Sequence, residues 1–424
     1  MFQSSKKWLF FIMPSSIAAE GLHIAMPLYV LFLGGNVADV GIVIGLHYAF
    51  SSLGSIFWGK IIDKYHVKRI ILLVSFSVIT ACCIWLFFIT ELSAVFLISP
   101  IAGFFIIGKN PVTQLLVMES VPNNQWSKLF ANISILTGFG SLIAFVVGSI
   151  WDSFFDLKPY FLFCALTSAG AVLFSILVGS KSFLERETLV HSVYGLKHVF
   201  NHNRYNFQLI FTKIPKKYDF RHLTSLFQRK MSHEIGILYF TNFLFYFGSN
   251  IYFTAFIPFL KEYSFTDSQV FIIYLIQTIT LLAIFFVVPK LIAKVSEEKA
   301  AQIAYLPRIL GIIIASALIP IASGFDSFIV AAVSSSLMVS AFSIFSTASS
   351  VILFKTIPRG FEGRFLGVNS FMVGLGIFLG AITSGFVANS INYPVAFTIA
   401  SVGIFFSLLT FRSYLKHRLS HKVV

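Results

Sequence analysis

Gly59-Lys60-Ile61-Ile62-Asp63-Lys64-Tyr65-His66-Val67-Lys68-Arg69 forms a short charged stretch wedged between two long apolar runs. About twenty apolar residues cross a bilayer, so a charged turn between runs of that length marks a polytopic membrane protein. Composition points the same way. Of 424 residues, 57% are hydrophobic and 11% charged, against roughly 25% charged in a soluble domain. The net charge of +14 raises nucleic acid as a partner. However, the basic residues sit in loops between apolar runs, where one membrane face collects them. The lipid bilayer is therefore an expected partner, and nucleic acid is not. Cys82, Cys83 and Cys164 all fall inside apolar runs without metal-ligand spacing, which reads as packing.

Twelve runs of spanning length are legible, near residues 8–33, 40–59, 70–90, 94–118, 129–151 and 159–179, then 235–260, 270–288, 300–323, 328–354, 365–388 and 393–411. The run starting at Trp8 is too long for a signal-peptide core and reads as the first span. With the N-terminus inside, Lys60, Lys64, Lys68, Arg69, Lys128, Lys290, Lys294, Lys299, Lys355, Arg359, Arg364, Arg412 and Lys416 share the inner face. The outer loops keep only Lys158 and Lys261. That asymmetry places both termini in the cytoplasm of a multi-pass cell-membrane protein. The domains expected are a six-helix bundle over 1–180, a basic cytoplasmic linker over 181–233, a second bundle over 234–411 and a basic tail over 412–424. In the linker, Leu189, Val193, Leu196 and Phe200 recur at helical spacing and suit an amphipathic helix on anionic lipid. Its histidines (His191, His198, His202, His222 and His233) have irregular spacing and suit a solvated basic segment better than a metal site.

The order Gly59, Asp63, basic, aromatic, then Lys68-Arg69 resembles the motif between the second and third helices of the major facilitator superfamily (MFS), with His66 and Val67 departing from it. A duplication supports the resemblance. Pro122 aligns over Pro358 and Gly140 over Gly376, and Lys60-Ile61-Ile62-Asp63-Lys64 has a worn copy in Lys290-Leu291-Ile292-Ala293-Lys294. The resemblance implies an all-α membrane fold of twelve transmembrane helices in two pseudo-symmetric bundles that move a solute by alternating access. It also implies that Gly59, Asp63, Lys64, Lys68 and Arg69 form a cytoplasmic gate motif, with Asp63 latching the bundles near the start of the eleventh helix.

Ionisable side chains deep in a membrane are costly and so are functional candidates. Glu20 falls near the middle of the first span, with His23 one turn on. His47 lies in the second span, Lys109 in the fourth, and Arg308 after Pro307 in the ninth. Because the first and fourth helices line the cavity in this superfamily, Glu20, His23 and Lys109 are the expected proton-coupling set. Arg308 is expected to pair structurally or to snorkel. Neutral polar residues that suit either substrate contact or helix bridging are Gln114, Asn242, Asn250, Gln277 and Asn369.

No phosphate loop, zinc spacing or nucleophile elbow is present, so neither a cofactor nor an enzymatic activity is expected. The glycines of the fifth span (Gly138, Gly140 and Gly148) resemble a stretch of drug-exporting members, although Ala144-Phe145 replaces the usual Gly-Pro step. Proton-coupled efflux of amphipathic, drug-like compounds is the leading expectation. The alternatives are proton-coupled uptake of a small metabolite, for which Lys109, His23 and Arg308 would hold negative charge, and a non-transporting receptor or scaffold. For the topology, reporter fusions at the two chain ends should signal from the same, cytoplasmic side, and reporters inserted at Asp156 and Asp326 from the other. Opposite signals from the two ends would overturn the even span count.

Overall fold

Every backbone N–H and C=O in hydrocarbon must be satisfied within the protein, and a helix does this inside one segment. The computed structural model accordingly contains helices and no strand among the residues it describes, which are 6–65, 67–120, 126–151, 154–178, 233–356 and 362–420. After a 3-10 turn at Lys6–Phe11 come α1 (Ile12–Phe32), α2 (Val37–Tyr65), α3 (Lys68–Phe88), α4 (Leu92–Ile106), α5 (Lys109–Ser120), α6 (Trp126–Trp151) and α7 (Lys158–Ser175). The second half contains α8 (His233–Glu262), α9 (Asp267–Val295), α10 (Glu297–Leu318), α11 (Phe325–Thr356), α12 (Glu362–Ser390) and α13 (Tyr393–Ser420). Twelve spans result, because α4 and α5 together make the fourth. The linker over 181–232 with its amphipathic and histidine readings, His66, Pro122, Pro358 and Arg359 lie outside the described residues, as do the side chains of Asp63, Lys64 and Arg364, while His233 opens α8.

Four expectations change. The charged turn is mostly helix, since α2 runs through Asp63 to Tyr65 and α3 begins at Lys68. Lys68 is not at the surface: it is 1% exposed and ion-paired with Glu119 of α5, so the two charges compensate each other out of water. The fourth span breaks at Ile107-Gly108, where Gly108 N–H bonds back to Phe105 C=O at 3.1 Å. The twelfth span continues as helix to Ser420, which places Arg412, Lys416 and Arg418 on α13 instead of in a tail. Arg418 is held there by Glu298 at 2.8 Å.

Within the first bundle α1 packs on α6 and α7, α2 on α4, and α3 on α7. In the second, α8 packs on α12 and α13, α9 on α11, and α10 on α11 and α13. The duplication is physical. Leu33, Gly34 and Gly35 donate to Tyr29, Leu31 and Val30, while Tyr263, Ser264 and Phe265 donate in the same pattern to Phe259, Lys261 and Leu260. Reciprocal caps follow each turn, Asn36 with Asp39 and Thr266 with Gln269. The separation is the one that sets Lys60 over Lys290. A Cβ on Gly140 would meet the Met13 carbonyl at 2.8 Å, and one on Gly376 the Phe243 carbonyl at 2.6 Å, which is the same contact in each half.

The bundles meet through α2 on α12 and through α6 on α9, with backbone against backbone toward the face opposite the chain ends, here the distal face. A Cβ on Gly41 would stand 2.7 Å from the Ala381 carbonyl oxygen and 2.8 Å from Gly385 Cα. At the equivalent place in the other seam, Ser268 Oγ donates to Ser149 C=O at 2.6 Å. All four salt bridges among the described residues are internal to one bundle. Gly41→Val therefore overpacks the distal seam, at a cost of roughly 1–3 kcal/mol. A cysteine replacing Val43, which is buried on the cavity side of the seam, should then react with an impermeant maleimide about tenfold faster or more. An unchanged rate would show that this seam does not hold the distal face shut.

Candidate functional site

A cavity of about 350 Å³ lies inside the distal seam, lined by α1, α2, α4 and α5. Glu20 and His23 enter from α1, His47 and Tyr48 from α2, Ser99 from α4, and Lys109 and Asn110 from the start of α5. The rest of the lining is largely apolar, with Met26, Val43, Ile44, Ile106 and Ile107. A second recess of about 180 Å³ adjoins it through Lys109 and Asn110 and contains Gln114 and Thr137.

The polar side is connected. His23 Nε2 and Tyr48 Oη are 3.3 Å apart, and His47 stands edge-on to Tyr48 with ring centroids 5.5 Å apart. His47 Nδ1 is buried without a hydrogen-bond partner. Glu20 lies within electrostatic reach of both Lys109 and Tyr48. Among the described residues Glu20 and Lys109 nevertheless form no ion pair. The break in the fourth span turns Lys109 into the first residue of α5 and brings a helix N-terminus to the cavity wall. That start offers few backbone donors, because Asn110 N–H bonds to Ile107 C=O at 3.0 Å and Pro111 has no N–H, so Lys109 itself supplies the positive charge.

The structure thus gathers Glu20, His23 and Lys109 into one cavity. The five neutral candidates separate from it. Gln114 is exposed in the adjoining recess. Asn242 ties three helices together: its Nδ2 donates to Asn369 Oδ1 at 2.7 Å, and its Oδ1 accepts from Ser349 Oγ at 2.8 Å. Asn250 donates to Ile377 C=O at 2.7 Å. Three of the five are therefore bridges between helices of the second bundle, and Gln277 has a buried Oε1 without a partner. Tyr48, Ser99 and Asn110 were not legible as site residues. Tyr48 follows His47 and Asn110 follows Lys109 in sequence, and those adjacencies were the available signals. Of the gate motif, Gly59 is half-buried with open space where a Cβ would stand, and Arg69 is half-buried.

The family model "Major Facilitator Superfamily" matches residues 8–372. Among solved structures, the chain is similar to the nucleoside transporter NupG, at 16% identity over 97% of this chain and 98% of that one, with a TM-score of 0.72. It is similar to a POT family transporter in complex with 5-aminolevulinic acid, at 15% identity over 97% and 96%, with a TM-score of 0.72. It also resembles the xylose transporter XylE from E. coli, at 12% identity over 96% and 99%, with a TM-score of 0.68. No curated protein matches the sequence. At these identities the likeness concerns the fold.

Replacing Asn242 by Ala strands the Asn369 and Ser349 groups, at a cost of roughly 1–3 kcal/mol. Thermal unfolding should move down accordingly, while solute affinity of the folded protein stays unchanged. A selective loss of affinity at unchanged stability would instead return Asn242 to the solute site.

Proposed function

The chain belongs to the Major Facilitator Superfamily, and from that membership we propose that it is a symporter carrying a small amphipathic organic anion together with a proton. Membership and fold make it a secondary transporter. The observation that carries the finer reading is that Glu20 and Lys109 share one cavity without pairing, with the α5 N-terminus beside them.

Glu20 holds the proton and Lys109 holds the anionic group of the solute. While Glu20 is ionised, its charge offsets Lys109 and repels an incoming anion. Protonation removes that charge, and the lysine becomes free to take a carboxylate. Proton and anion then bind cooperatively and leave together, and the loaded cavity is closer to neutral when the bundles rock. The apolar wall of Met26, Val43, Ile44, Ile106 and Ile107 accepts the body of the solute. A volume of about 350 Å³ suits a small molecule, since ligand pockets run from about 300 to 1,000 Å³. The similar transporters name solutes of this scale, a nucleoside, 5-aminolevulinic acid and xylose.

Export of drug-like cations fits less well. Well inside the spans the described residues supply one carboxylate, Glu20, against the cations Lys109 and Arg308, and a cation would add to that excess. With both termini cytoplasmic, an inward proton gradient drives uptake.

In proteoliposomes, an acid exterior should drive accumulation of labelled small carboxylates such as lactate, benzoate or 5-aminolevulinate. Glu20→Gln should uncouple accumulation from the gradient while leaving exchange of solute for solute. Lys109→Gln should weaken carboxylate binding by about tenfold or more, the loss of a charge-assisted hydrogen bond. Solute moving opposite to protons, or a Glu20→Gln protein with full coupling, would overturn the reading.

A further inference from the structure

The second bundle contains a charge that the transport cycle above does not use. Arg308, in the middle of α10, is fully buried. The acidic residues of α8 to α12 all stand in the first or last turn of their helices: Glu234, Glu262, Asp267, Glu297, Glu298, Asp326 and Glu362. None reaches the depth of Arg308, and Arg308 is in none of the salt bridges among the described residues. A guanidinium stays protonated at any working pH, so the charge cannot be relieved by losing a proton. It does not snorkel either, since it is held in place from two sides. Nε donates to Ser249 Oγ at 3.0 Å, and Nη1 donates to the Met338 carbonyl. The faces of Phe245 and Phe253 flank it, with Cζ 5.1 and 5.2 Å from the ring centroids.

These contacts leave one edge of the fork unused, because Nη2 is buried with no hydrogen-bond partner. Buried charges are found paired, and neutral acceptors plus aromatic faces compensate a cation only in part. The surroundings supply a further donor. Tyr246, half-buried on α8 and edge-on to Phe342 at 6.1 Å, lies within electrostatic reach of the guanidinium. Its hydroxyl makes no hydrogen bond among the described residues. Tyr252, also in reach, is different, because its hydroxyl is engaged with Ser334 at 2.7 Å. Tyr246 and Phe253 are both half-buried.

We propose that Arg308, with the Tyr246 hydroxyl, forms a monovalent-anion site inside the second bundle, separate from the Lys109 cavity. The occupant is a halide from the medium or the carboxylate of a small organic acid, and either supplies the single negative charge that the bundle lacks. An anion bound there would join α10 to α8 and stiffen the second bundle as a rigid body. The site goes beyond the proposed symport and does not depend on it.

The test is thermal unfolding of the purified full chain carrying Lys109→Gln, so that a carboxylate finds no lysine in the first bundle, in sodium methanesulfonate, with chloride or benzoate exchanged in at constant ionic strength. The expected result is a saturable rise in Tm with at least one of the two anions. A response to chloride alone identifies a halide site, and a response to benzoate alone a carboxylate site. Adding Arg308→Gln should abolish the rise. Adding Arg308→Lys, which keeps the charge but loses the planar fork, should retain it at about tenfold weaker affinity. Adding Tyr246→Phe should weaken it without removing it. Equal Tm in methanesulfonate, chloride and benzoate would overturn the proposal. So would a rise that survives the addition of Arg308→Gln. Failure of the symport reading would show in the flux assays and leave this result standing.

Discussion

Two bundles surrounded by lipid gain little hydrophobic free energy by touching, because the hydrocarbon is as apolar as their side chains. What holds them must be close packing and hydrogen bonds, and this protein places both toward the distal face. Gly41 lies against Ala381 and Gly385 in one seam, and Ser268 bonds to Ser149 in the other. The two seams are copies of one contact, as expected when each half of the chain is a version of the same bundle. Residues without side chains let the backbones approach there, and the space inside the seam is what remains for a solute.

Charge at depth is the second constraint, and it explains how polar residues are distributed. Lys68 and Glu119 cancel each other out of water. Glu297 with Lys355 and Glu298 with Arg418 pin the ends of the second bundle. The neutral amides of Asn242, Asn250 and Asn369 are consumed in ties between α8, α11 and α12. Many polar groups that serve the fold thus have partners, and the buried atoms left without one include His47 Nδ1 at the first-bundle cavity and Gln277 Oε1 and Arg308 Nη2 in the second bundle. The two bundles differ in this respect although their backbones repeat. The first presents its charges to a cavity, and the second buries one.

The sequence by itself determined the twelve spans and the membrane class, because runs of about twenty apolar residues have one stable form in hydrocarbon, and the two-bundle fold was legible through the resemblance of the Gly59–Arg69 motif and the duplication. It also isolated Glu20, His23 and Lys109, since deep ionisable residues are rare enough to stand out without coordinates. Tertiary structure decided what those residues meet. The same asparagine in an apolar run reads alike whether it faces a solute or a neighbouring helix, and only the path of α12 and α11 past α8 made Asn242 a bridge. The break at Ile107-Gly108, which brings Lys109 to the head of a helix, depends on how Gly108 packs beside Trp58 and Ser75. Arg308 is the clearest case: its type and depth were legible, but its lack of a carboxylate partner is a property of six helices together.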